Sequence, residues 1–174
     1  MLQKVTTANA VWIAATLLHK QNPRRQWFPS KEIEAKVLEE NLLGAGLQTL
    51  RAHISQHCVA NKPASPDTHR KLYDVGRGRR RLYAPGDKAH PSRANGKVAP
   101  SKQEIPAKYH HLVDWFTNEY VKHAQLAISM ERGPAESRFE GLLTRLRRLT
   151  PEERKERARE AIRAVIAFER RRSK

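Results

Sequence analysis

The chain has 174 residues and carries 34 Lys and Arg against 18 Asp and Glu, a formal net charge of +16. Such a charge makes a polyanion the first partner to consider, but it says nothing by itself about sequence specificity. The single cysteine, Cys58, excludes a disulfide within the chain, and no apolar stretch approaches the length of a membrane-spanning helix.

Thr6–Gln21 is predicted as a first helix, with Thr7 as its N-cap and Val11, Ala14, Ala15 and Leu18 recurring at helical spacing. Pro23 stops it. A second helix follows Phe28-Pro29, with Ser30 as N-cap and Ile33, Val37 and Leu38 facing inward. Asn41 and then Gly44-Ala45-Gly46 end it. A third helix runs from Leu47 to Cys58 on an apolar stripe of Leu47, Leu50, Ile54 and Cys58. Its opposite face carries Gln48, Thr49, Ala52, His53, Ser55 and Gln56, with Arg51 at the margin. An ordinary solvated face holds more Glu and Lys, so this composition favours a reading surface.

Asn61–His69, with Pro63 and Pro66, is a loop. Arg70–Val75 reads as a strand, Gly76-Arg77-Gly78-Arg79 as a turn and Arg80–Ala84 as the return strand. The two glycines supply the positive φ that a tight hairpin needs. Residues 87–105 are polar with no apolar period and read as a flexible basic linker. Helical character returns near Pro106, where Tyr109, Leu112, Val113, Phe116, Tyr120 and Val121 form an apolar face. Phe139, Leu142, Leu143, Leu146 and Leu149 form another. Thr150-Pro151-Glu152-Glu153 is a capping-box start for a last helix lined by Ala158, Ala161, Ile162, Val165 and Phe168.

The fold class expected is mainly α with a small β-hairpin. Residues 1–86 form a winged helix-turn-helix domain, 87–105 a linker, and 106–174 a helical region that either serves dimerisation or packs onto the winged helix with its Arg-rich faces turned to phosphate. The positive charge is uneven: residues 62–108 hold 12 basic against 4 acidic side chains, and residues 138–174 hold 13 against 6. The first excess lies in the hairpin region, the second on a predicted helix.

This order suits a duplex. The third helix enters the major groove, where Gln48, Thr49, Arg51, Ala52, His53 and Gln56 face bases or nearby phosphates. Arg77, Arg79, Arg80 and Arg81 hold the wing on the backbone or in a minor groove, and Arg70 and Lys71 join them at the start of its first strand. His53, His57 and Cys58 lack a fourth ligand for zinc, so no metal is expected. No nucleophile pattern, phosphate-binding loop or carboxylate cluster is present, so no catalytic residue or cofactor is expected.

The run Leu47–Cys58, with Thr49, Leu50, Arg51 and His53, and the run Tyr73, Val75, Gly76, Arg77 and Gly78 resemble a bacterial winged-helix family. Pro29-Ser30-Lys31-Glu32-Ile33 also fits its second helix, and the likeness covers residues 6–86. Members of that family occur alone or attached to restriction and phage-defence proteins. The resemblance implies a non-enzymatic protein that binds double-stranded DNA, as a transcriptional regulator or as the DNA-recognition component of a defence system. A homodimer, contact with other defence proteins and a cytoplasmic, nucleoid-associated location are expected, with no membrane partner. The alternatives are an RNA- or ribosome-associated basic protein, or an adaptor acting through its C-terminal helices.

Overall fold

The computed structural model describes residues 5–125, 149–153, 155 and 156. Helix α1 (Thr7–Gln21) is capped by Thr6, whose Oγ1 accepts the Asn9 N–H at 3.3 Å. Thr7, expected as the cap, is the first helical residue. Every residue from Ala8 to Thr16 is buried, because α1 is the central element on which the other helices and the sheet pack.

Strand β1 (Phe28–Pro29) leads directly into α2 (Ser30–Glu39). Pro29 takes the cap position, so Ser30 does not cap. Its N–H and its hydroxyl both donate to the Gly78 carbonyl at 2.9 Å, tying the start of α2 to the hairpin tip. Ile33 and Val37 face the core as predicted, but Leu38 is 45% exposed and Leu42 takes the inward place. Asn41, with φ at 53°, ends the helix as expected. Helix α3 (Leu47–Ala52) continues through a wider turn, His53–His57, in which the Cys58 N–H reaches the His53 carbonyl at 3.0 Å. Leu50, Ile54 and Cys58 are buried as predicted, whereas Leu47 is exposed.

The hairpin is β2 (Leu72–Gly76) and β3 (Arg79–Leu82), and the antiparallel sheet has the order β1-β3-β2. Phe28 lies opposite Arg80, and Leu72 opposite Leu82. At the turn, Gly76, Arg77 and Gly78 have φ values of 88°, 52° and 71°. The predicted glycines do adopt positive φ, and Arg77 between them shares it.

Residues 87–105 are not a free linker. The Arg93 side chain is fully buried and donates to the carbonyls of Gln56, His57, Lys62, Pro63, Asp67 and His69. Gly96 lies so close to the loop that a Cβ there would sit 1.7 Å from the Thr68 carbonyl oxygen. Ile105 enters the core. Helix α4 (His110–Trp115), extended through Phe116–Tyr120, buries Leu112 and Phe116, and Phe116 meets Trp12 edge to face at 5.6 Å. By contacts the chain divides into Met1–Ile128 and Ser129–Lys174, so the segment after residue 86 continues the first unit.

In the second unit the predicted capping box is present: Thr150 Oγ1 accepts the Glu153 N–H at 3.3 Å, and Glu153 accepts the Thr150 N–H at 2.7 Å. The apolar stripes predicted over 139–146 and 158–168 lie outside the described residues, as does most of the predicted dimerisation region. Among the described residues no helix is long and apolar enough to cross a membrane.

Candidate nucleic-acid interface

Helix α3 is anchored by Leu50 and Ile54, which turns its other side to solvent. Gln48, Thr49, Arg51, Ser55 and Gln56 are exposed there, and Ala52 is half-buried among them. The first turn of α3 holds no acidic residue. His53 is the other residue expected on this face. It is half-buried, its Nδ1 is 3.5 Å from Cys58 Sγ, and its ring meets that of His57 at 5.0 Å. Burial first, and then His57, hold its pKa below the ordinary histidine value.

Arg51 is engaged by the neighbouring helix. Glu34 of α2 accepts from its Nε at 2.9 Å and its Nη2 at 2.8 Å. This hydrogen bonding holds the Glu34 carboxyl below the usual range, against the opposing effect of burial. Ser30, Lys31, Glu34, Ala35, Leu38, Arg51, Ile54 and Ser55 line a groove of about 640 Å³ between α2 and α3.

The predicted cations of the hairpin divide into two groups. Arg77 is exposed at the tip. Arg79 is half-exposed beside it, its guanidinium 4.4 Å above the ring of Trp27. The others are engaged by protein partners, and two of them are buried. Arg80 is 4% exposed and donates to the Ile54 carbonyl at 3.1 Å and to Asp74 at 2.7 Å. Lys71 is 1% exposed and donates to Asn9 Oδ1 at 2.9 Å, and burial lowers its pKa to about 8. Arg81 pairs with Asp87 and lies 4.5 Å over Tyr73. Arg70 donates to the Gly96 carbonyl at 2.9 Å. Lys71 and Arg80 therefore do not reach solvent, contrary to the expectation for them.

Arg80 has another role, since it joins β3 to the backbone of α3 and so fixes the hairpin against the helix. Asp74 completes that junction. Burial works to raise its pKa, but the Gly76 N–H, Lys62 and Arg80 outweigh burial and hold it below the usual carboxylate value. Strand alternation could have revealed Arg80, which shares a face with the buried Leu82 two residues on. Trp27 was missed altogether. It is 37% exposed, and its only sequence signal is an aromatic side chain after Pro23-Arg24-Arg25-Gln26.

The first unit thus presents polar α3 residues and an Arg77–Arg79–Trp27 tip, with Ser30 tying α2 to the tip and Arg80 tying β3 to the Ile54 carbonyl. Among the described residues no group of three or more His, Cys, Asp and Glu could hold a metal ion. Comparison with protein-family models, curated proteins and solved structures gives no match.

Proposed function

We propose that the chain is a sequence-reading, double-stranded DNA-binding protein built as a winged helix, with α3 as the recognition helix and the β2–β3 hairpin as the wing. The observation that carries this reading is the exposed, hydrogen-bonding face of α3, buttressed beneath by Leu50 and Ile54, together with a cationic hairpin tip at which Arg77 is exposed. Three helices followed by a hairpin support it as well, as does the third short strand beside the hairpin. In this arrangement Gln48, Thr49, Arg51, Ala52 and Gln56 meet base edges, and Arg77 and Arg79 meet phosphates. A role as a transcriptional regulator or as the DNA-recognition component of a restriction or phage-defence system rests on the family resemblance. The absence of enzymatic activity, the homodimer and the nucleoid location belong to the same proposal.

Selection of bound sites from random duplex DNA tests it. A defined motif is expected. Arg51→Ala should relax preference at one or two base pairs, by about 1–3 kcal/mol, and leave the others unchanged. An undefined pool, or tighter binding to structured RNA than to duplex DNA at equal salt, would refute the reading.

A further inference from the structure

A guanidinium is planar and carries five N–H donors, arranged along distinct edges. Glu34 takes one edge of Arg51, with Oε2 on Nε at 2.9 Å and Oε1 on Nη2 at 2.8 Å. The end-on edge, one N–H from each of Nη1 and Nη2, has no protein partner among the described residues. The Arg51 side chain is 58% exposed and that of Glu34 only 19%, so the carboxylate is the fixed partner and the guanidinium the one presented. Both sit on helices whose inner faces are packed through Ile33, Val37, Leu50 and Ile54.

Two consequences follow. First, an ion pair is a poor phosphate anchor. Its carboxylate repels the backbone, and the near-neutral pair gains little from counterion release. Second, the free edge donates two parallel hydrogen bonds. Guanine, with O6 and N7, is the base whose major-groove edge offers two adjacent acceptors. The pairing thus removes Arg51 from the cations that serve the backbone and leaves it matched to one base.

Resting on the DNA-reading function above, we propose that Glu34 is a positioning residue that holds Arg51 side-on so that its end-on edge reads a guanine in the major groove. The test is site selection from random duplex DNA with the full chain, as wild type, Arg51→Ala, Glu34→Gln and Glu32→Gln. Glu32 is the control, because it pairs with Arg25. The wild-type motif is expected to hold a guanine whose preference falls about tenfold in both Arg51→Ala and Glu34→Gln, with the other positions and the melting temperature retained. Glu32→Gln should keep it. If Glu34→Gln tightens binding to all sequences and keeps the guanine, the carboxylate merely masks charge and the inference is overturned. A motif indifferent to Arg51→Ala overturns it too, while the DNA-reading function stands. A wild-type pool without any motif overturns both.

Discussion

His19 shows how one side chain couples packing to acidity. It is 5% exposed, its Nε2 accepts the Leu82 N–H at 3.3 Å, and its ring packs edge to face on Phe28 and Tyr120. Burial, and then Arg81 and Arg25, lower its pKa to about 3. The unfolded chain takes up this proton near pH 6.5, and the folded chain does so only near 3. Stability therefore falls as pH drops through that window. Between pH 7.5 and 5.0 the contribution of His19 is a loss of about 2 kcal/mol. Urea unfolding should show this loss in the wild type and a clearly smaller one in His19→Gln. His53 and His69, whose burial also lowers their pKa, account for part of what remains. An identical loss in both proteins would refute the assignment. In the sequence His19 is one more polar residue at a helix end; only the strand it accepts from reveals its role.

At the scale of elements, the hairpin divides its cations by strand geometry. Alternation along β3 sends Arg80 inward with Leu82 and leaves Arg79 half-exposed, while the turn exposes Arg77. If the tip holds phosphates, Arg77→Ala with Arg79→Ala should lower the slope of log affinity against log salt by about 2. Lys71→Met should leave that slope unchanged, because the ammonium is already occupied by Asn9. A slope reduced equally by Lys71→Met would contradict the division. The elements themselves were legible in the sequence: α1, α2, α3 and the hairpin follow from apolar spacing, Pro23 and the glycine pair. The direction of each arginine was less so. Charge suggests solvent, but the carbonyl of Ile54, distant in sequence, and the carboxylate of Asp74, opposite Arg80 across the hairpin, supply an interior destination.

For the whole molecule, the region after the hairpin was the least legible part. A polar segment without apolar periodicity reads as a linker, yet Arg93 makes it structural by satisfying backbone carbonyls of a loop. That signal is invisible to hydrophobic patterning. Ile105, Leu112 and Phe116 then complete the core around Trp12. A chain ending at residue 128 is therefore expected to unfold cooperatively, near the temperature at which the same unit melts in the full chain. One ending at residue 86 should show no cooperative transition by circular dichroism, and equal melting of the two would overturn this view of the unit. The tip residue Arg77 bears differently on the whole. Its left-handed backbone, with φ at 52°, costs roughly 1–2 kcal/mol that glycine would not incur. Grip and stability thus oppose each other at this position. Evolution under pressure for robustness alone would replace the arginine, so its retention among descendants would record selection by a ligand.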